Sequence, residues 1–423
     1  MEFYYNYYYF LLGHHNMEVT IQKALELIYK QTPKKSTKIL PLEQALGSII
    51  SEDIYASHNL PPYDNSAMDG YAVKLEDAQK CVKVTDTIFA GDNSDAQVKA
   101  GCAVKIMTGA KIPKGCQLVV PAEDTTECEG GVKLPDDLSQ GRHIRLCGED
   151  IKSGDLLLKK GDKLQAHQIT LLASQGISHV NVYKKPRIAI FASGSELKMH
   201  YESVEDDYQL YNTNTPALKA RSEELGYEVD FIGTAKDSID DLKEHVRSAL
   251  DSDLIITSGG VSVGDADYTK EIFDGFGMEV YFDKVAIKPG KPTTFGHINK
   301  TLVLNLPGNP LAASLNFELF AQSILLAMSG ANEKYLNTID ALIAEDFKLR
   351  AGRLTLLPGY YDGSTFMPTK TFAPGMIRPL SDANSYIVIS EKCGFLKVGS
   401  AVKVVPIRFA FNADVQRDIV SKS

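Results

Sequence analysis

Apolar residues recur at two spacings along this chain, and the places where the spacing changes divide it. From Ile21 to Tyr29 the apolar positions lie three and four apart behind Thr20, which predicts a capped amphipathic helix. Pro41 to Gly47 reads as a second short helix stopped by its glycine. From about Val73 to Arg145 short β runs alternate with glycines, among them Val82 to Phe89 and Ala103 to Met107, as expected of a β-rich module. Gln165 to Gly176 returns to helical spacing.

After Pro186 the rhythm changes again. Arg187 to Phe191, Glu228 to Gly233, Leu254 to Thr257 and Leu302 to Leu306 are strand-like runs. They alternate with helical stretches: Thr213 to Leu225, Ser238 to Leu250 with Asp237 or Ser238 at its start, one from about Tyr268, and Leu311 to Met328. Short links between them predict right-handed βαβ units and a mostly parallel sheet flanked by helices. Beyond Gly330, the runs Leu342 to Leu349, Leu354 to Pro358, Tyr386 to Ser390 and Ala401 to Phe411 suit a small barrel or sandwich.

The expected fold class is therefore multidomain α/β, with a β-rich insertion and a C-terminal β-barrel-like domain. The expected division is an extra segment 1–16, a helical linker region 17–60 joined by 147–184, an insertion 61–146, an α/β domain 185–330 and a β domain 336–412. Glu2 to Leu12 is aromatic and apolar, yet too short to span a bilayer, and it lacks the basic region and cleavage site of a secretory signal. Translation is expected to begin at Met17; a native chain found by mass spectrometry to start at Met1 rejects that. His14-His15 is read as a chance pair, not a metal site.

Ordinary hydrophobic and charged fractions predict a soluble protein, and the cysteine usage a cytoplasmic one. A net charge of −9 argues against nucleic-acid or anionic-membrane partners, so an anionic substrate must meet a local cluster of cations. Six cysteines without a Cys-x-x-Cys pair, or a histidine at zinc-ligand spacing, are expected to be scattered reduced thiols.

Candidate chemistry gathers around Asp253 to Lys270. The apolar strand runs into Ser258-Gly259-Gly260 and on to Gly264, glycines that let backbone amides approach an anion at the carboxyl end of a strand. Asp265 and Asp267 suit a cation such as Mg²⁺ bridging carboxylate and phosphate; a plain turn with an aspartate cap is the alternative. Ser193-Gly194 with Glu196 repeats the arrangement, and a shared crevice is the simplest reading. Lys284, Lys288 and Lys291 surround a Pro-Gly turn that lacks the first glycine of a phosphate-binding loop, and they are read as an anion clamp. Pro307-Gly-Asn-Pro310 before a helix fits a second oxyanion site. Asp64 and Asp69 are unusual for a connector, whereas Thr108-Gly109-Ala110 alone could be a bare hairpin. Arg142, Arg145, Glu149 and Asp150 form either a surface salt-bridge cluster or, through Asp150, a metal ligand. The C-terminal strands carry no evident chemistry beyond Arg378 and the loop Ser381 to Ser385, and are read as structural or partner-facing.

Taken in order, Asp64-Asn-Ser-Ala-Met-Asp-Gly-Tyr-Ala72, Met107-Thr-Gly-Ala110, Gly148-Glu-Asp150, Ser258-Gly-Gly-Val-Ser-Val-Gly264, Lys288-Pro-Gly-Lys-Pro292 and Pro307-Gly-Asn-Pro310 resemble the molybdopterin molybdenumtransferase family. This is the MoeA type, similar to the matching half of gephyrin, and the resemblance runs from about Met17 to about Phe411. It implies insertion of molybdenum from molybdate into adenylated molybdopterin with release of AMP. It also implies a homodimer whose site lies between the sheet domain of one subunit and the insertion of the other. Further partners would be the molybdopterin adenylyltransferase and molybdoenzyme chaperones.

By motif, Asp69, Asp150, Glu196, Asp237 and Asp267 correspond to the acidic set, with Asp150, Glu196 and Asp267 as Mg²⁺ ligands. Thr108, Ser258, Gly259, Gly260, Lys284, Lys288, Lys291, Pro307, Pro310 and Ser381 would line the substrate. The chain departs from the family at Cys147, at Ala192-Ser193 and in the loop Asn384-Ser385-Tyr386, which lacks the usual glycine. Bringing a dianion to a diphosphate costs about a few kcal/mol at an effective dielectric near 20, which lysines and Mg²⁺ would offset. The rival readings are an adenylyltransferase acting on the same pterin and a non-catalytic pterin carrier.

Overall fold

A computed structural model describes residues 17–236, 238–259, 268–373 and 375–408. Its central sheet has six strands in the order Val229–Ala235, Ile188–Ser193, Leu254–Ser258, Thr301–Leu306, Thr294–Ile298 and Glu279–Phe282. The first four are mutually parallel, as the apolar runs predict; the last two are antiparallel. Those two carry a weak strand signal, because Gly296 and His297 break the pattern of one and the other is only four residues long. The three central strands are buried along their whole length. Alternate residues serve two cores, as a sheet covered on both faces requires. Ile188, Ile190, Leu254, Ile256, Leu302 and Leu304 face one side, and Ala189, Phe191, Ile255 and Val303 the other.

On the first side lies the run Pro310–Met328. It is long and apolar enough to cross a membrane, but 83% of it is buried in the fold, so it is a core helix. It is α-helical over Pro310–Asn316 and Gln322–Met328 and widens to a π turn at Phe317–Ala321. The widened turn carries Glu318, only 3% exposed, whose carboxylate receives Nε and Nη2 of Arg221 at 2.7 and 3.1 Å. The second side is covered by Ile239–Ala249, where Ser238 caps by accepting from the Asp241 amide, and by Tyr268–Gly275.

Helix Ile21–Gln31 forms as predicted, with the Thr20 hydroxyl accepting from the Lys23 amide. The expected second helix does not. Thr37–Pro41 is a strand paired with His179–Tyr183, and only Leu42–Gln44 turns, as a 3₁₀ segment. Long-range pairing outweighs a weak local helix signal there.

Residues 65–145 form a separate body. Asn65–Ser66 and Ile144–Arg145 pair where the chain enters and leaves. Between them runs a six-stranded sheet in the order Leu118–Pro121, Gly70–Val73, Cys102–Ile106, Cys81–Ile88, Gly131–Lys133 and Thr126–Cys128. Its two cores draw only on its own residues, such as Val104 and Ile106 in one and Val82 and Leu118 in the other. The expectation of reduced thiols fails for two of six cysteines: Cys81 and Cys128 are disulfide-bonded, with Cα atoms 6.1 Å apart. Gly131 pairs with Cys128, and a Cβ on it would lie 1.9 Å from the Val82 carbonyl oxygen, so the bare glycine lets the two edges close. No short spacing in the sequence announces that pairing. The expected cluster of Arg142, Arg145, Glu149 and Asp150 also dissolves: Arg142 turns to Asp124 and Asp137, and Glu149 accepts from the Leu146 amide.

The C-terminal strands Ile339–Ile343, Thr365–Pro368, Thr355–Tyr361, Ser385–Ile389 and Ala401–Pro406 close into a barrel. The strand expected from Tyr386 forms and begins one residue earlier, at Ser385; the Asn384 side chain replaces a turn by bonding both the amide and the carbonyl of Tyr361. The barrel is not a free appendage. Leu356, Tyr386 and Val405 share the core of the sheet, and Arg221 Nη2 donates to the Ile407 carbonyl at 2.7 Å.

Candidate active site

Three turns meet beyond the carboxyl ends of the central strands, where open α/β sheets hold their ligands. Ser258 Oγ donates to the Pro307 carbonyl at 3.1 Å and accepts from Asn214 Nδ2 at 2.7 Å. Asn214 Nδ2 also donates to the Gly308 carbonyl at 2.7 Å. Gly259 sits at φ +95°, and a Cβ on it would lie 2.5 Å from the Ser193 carbonyl oxygen. Glycine is required there by conformation and by contact. Glu196, exposed, folds its carboxylate back over Gly194. Two helices, Asn214–Glu224 and the one opening at Pro310, start at this edge and aim amide groups toward it. A cavity of about 50 Å³ lies between these helix starts, lined by Asn214, Leu218, Pro310, Ala313, Ile377 and Leu380. The short helix Arg378–Asp382 thus brings exposed Ser381 to the same edge, with its carbonyl accepting from Arg408.

The lysine segment is braced from two directions. The Lys288 amide donates to the Leu354 carbonyl at 2.9 Å and its carbonyl accepts from the Leu356 amide at 2.8 Å, so a barrel strand holds its backbone. The barrel read as structural or partner-facing therefore positions a candidate site residue. The lysines surround one turn as expected: the Val285 amide donates to the Lys291 carbonyl at 2.9 Å, closing the loop that carries Lys288. Lys284–Val285 is a short strand parallel to Glu18–Val19, and Lys291 Nζ pairs with Glu18 at 2.8 Å. Lys288 presents an exposed side chain.

Asp69 and Thr108 stand together on the insertion. Thr108 N and Oγ1 each donate to Asp69 Oδ1 at 2.7 Å. The amide first, and then the hydroxyl, hold the Asp69 carboxyl below its ordinary range. The Thr108 turn is thus more than a bare hairpin. Nearby, Asp64 Oδ1 accepts from the Cys147 amide at 2.7 Å, and exposed Asp150 is tied through its backbone to Leu60.

Asp237, Gly260, Asp265 and Asp267 lie outside the described residues. Among the described residues no three His, Cys, Asp or Glu side chains converge to hold a metal. Residues that sequence reasoning missed are Asn214, which ties two crevice turns together, and Asn316, which lies under the lysine turn. An Asn-Thr-Asn-Thr run at 212–215 is the one trace of the former.

Comparison with known proteins agrees with this architecture. Residues 19–176 match the "MoeA N-terminal region (domain I and II)", residues 189–327 the "Probable molybdopterin binding domain" and residues 340–407 the "MoeA C-terminal region (domain IV)". The molybdopterin molybdenumtransferase of Staphylococcus aureus (strain COL) is 35% identical over 402 residues, covering 92% of this chain and 95% of that protein. That of Staphylococcus epidermidis (strain ATCC 12228) is 33% identical with the same coverage. The crystal structure of a molybdopterin biosynthesis MoeA protein from Pyrococcus horikosii superposes with a TM-score of 0.78 at 31% identity, over 93% of this chain and 100% of that one. A second, from Pyrococcus horikoshii OT3, gives 0.79 at 27% identity, over 92% and 100%. The chain belongs to the molybdopterin molybdenumtransferase (MoeA) family, transferases of molybdenum cofactor biosynthesis.

Proposed function

We propose that the crevice receives molybdate beside the diphosphate of adenylated molybdopterin and that molybdenum enters the pterin dithiolene as AMP leaves. The observation that carries this is the meeting of three strand-end turns and two helix starts, with Lys288 exposed on a braced segment, in a chain of net charge −9. Amide groups at the turns and helix starts would accept oxyanion charge, and Lys288 would hold an oxygen as a point charge. Lys291 would have to exchange Glu18 for an anion. Ser258, Gly259, Gly260, Lys284, Pro307, Pro310 and Ser381 complete the proposed lining. Asp237 and Asp267 are retained as catalytic candidates on motif alone. The dithiolene sulfurs come from the pterin, so no cysteine of the chain need be a nucleophile.

Asp69 and Thr108 would act from a partner subunit, orienting molybdate or water. Support for a homodimer is that the pair sits on a body with its own cores, apart from the sheet. Mixing two inactive variants, Asp69→Ala and Lys288→Ala, should restore part of the activity through mixed dimers; none regained rejects the shared site. Mg²⁺ remains a proposal resting on Glu196 and Asp150 with Asp267, where it would polarise the diphosphate. Because the described carboxylates do not converge, no step is routed through it. Mn²⁺ binding followed by electron paramagnetic resonance, lost in Glu196→Gln, tests it. A cytoplasmic location, and transfer among the adenylyltransferase and molybdoenzyme chaperones, belong to the same proposal and are checked by fractionation and pull-down.

The deciding experiment is incubation of purified protein with adenylated molybdopterin, molybdate and Mg²⁺, following AMP. Molybdate-dependent release is expected. ATP consumption without molybdate, or tight pterin binding without turnover, would overturn the reading in favour of an adenylyltransferase or a carrier.

A further inference from the structure

A buried amide that the proposed chemistry does not use lies directly beneath the lysine turn. Asn316, fully buried, ends the first α-helical stretch of the core helix. Its Nδ2 donates to the Gly290 carbonyl at 3.2 Å and to Thr293 Oγ1 at 3.1 Å, while Thr293 Oγ1 itself donates to the Gly290 carbonyl at 2.8 Å. The three groups close a small ring around the turn that joins Lys288 to Lys291. Contact is tight: a Cβ on Gly290, whose φ is +106°, would lie 1.9 Å from Asn316 Nδ2. The opposite orientation of the amide would set its oxygen against the Gly290 carbonyl, two acceptors face to face, so the donor side must face the turn. The helix bearing Asn316 opens at Pro310, in the second candidate oxyanion turn. Six residues at 1.5 Å each separate the two points, so one rigid rod about 9 Å long spans both.

We propose that Asn316 is a positioning residue, which fixes the Lys288 turn at a set offset from the Pro307–Pro310 turn so that both address one bound oxyanion. The proposal rests on the reading of Lys288 as an anion ligand, and its test separates the two. In the full-length protein, Asn316→Leu removes both donated bonds while keeping the number of heavy atoms, and Thr293→Val removes the hydroxyl with little change of shape. Each should raise the KM for molybdate about tenfold, the worth of one to two hydrogen bonds, with kcat within about twofold. The double variant should fall short of the sum of the two singles, because both changes remove the Asn316–Thr293 bond. Amide hydrogen exchange over residues 285–295 should quicken in both, as the turn loosens.

Unchanged exchange over 285–295 in Asn316→Leu overturns the proposal whatever the kinetics show, and so do additive effects in the double variant. If Asn316→Leu fails to fold, Thr293→Val alone decides by the same two readouts. Should Lys288→Ala leave the molybdate KM untouched while exchange still quickens in Asn316→Leu, the anion reading fails and the bracing of the turn stands.

Discussion

The insertion and the sheet crevice solve the same problem, holding a charged group still, in opposite ways. Asp69 and Thr108 lie 39 residues apart on a body that closes on its own cores and carries its own disulfide. The crevice takes Ser258 and Pro307 from strand ends of one sheet, Asn214 from a helix start, and its rigidity from a core running from Ile21 to Val405, while the Lys288 segment is braced by a barrel. A local site survives damage elsewhere, whereas a site assembled from distant segments inherits every weakness of its frame.

The largest test of that contrast is reduction of the Cys81–Cys128 disulfide. It closes a loop of 47 residues, worth about 4 kcal/mol in the chain-entropy account. Calorimetry should show a separate insertion transition that falls by at least about 10 °C in reductant, while the main transition stays in place. A single transition moving as one would erase the distinction.

Next comes Arg221→Met, which strands the buried Glu318 carboxylate and releases Ile407. Loss of about 3 kcal/mol from the main transition is expected, with none from the insertion. Burial already raises the Glu318 pKa, and losing Arg221 raises it further. A carboxyl whose folded pKa lies above its unfolded value burdens the fold when ionised. The deficit should therefore be greatest near neutral pH and shrink as pH falls through the raised value. Denaturant midpoints across that range check the sign.

Gly259→Ala should cost about 2 kcal/mol, combining a left-handed backbone with a clash at the Ser193 carbonyl. It should abolish molybdate-dependent AMP release while Asp69 titrates as before. The smallest effect is expected from Thr108→Val. The amide, the larger influence on Asp69, remains, so the carboxyl should move only part-way back toward its ordinary range in ¹³C NMR titration. Because the folded pKa is depressed, what this contact contributes is present above the ordinary carboxylate range and fades as pH falls through the folded value. A full return would mean that the hydroxyl, not the amide, holds the charge.

Much of the fold was legible because its signals are periodic. Continuous apolar runs announced the four parallel strands, and the Thr20 cap announced the first helix. The antiparallel pair Thr294–Ile298 and Glu279–Phe282 was not legible, since Gly296 and His297 interrupt the first and the second is only four residues long, nor was the strand at Thr37–Pro41, whose partner lies about 140 residues on. Of the candidate site, glycine and proline motifs marked the turns correctly, because such residues report backbone conformation locally. The pairing of Lys291 with Glu18 and the bracing of Lys288 by the barrel left no such mark.

By itself, then, the order of residues determined the four parallel strands and the helices between them, where the turns needing glycine fall, and which acids and lysines were available for anion chemistry. Tertiary structure decided which of those charges are already paired, that two distant cysteines bond, and that a buried asparagine holds the lysine turn from below. The reason is physical: backbone preferences act over a few neighbouring residues, whereas charge pairing, desolvation and close packing depend on atoms that meet only after the chain has closed on itself.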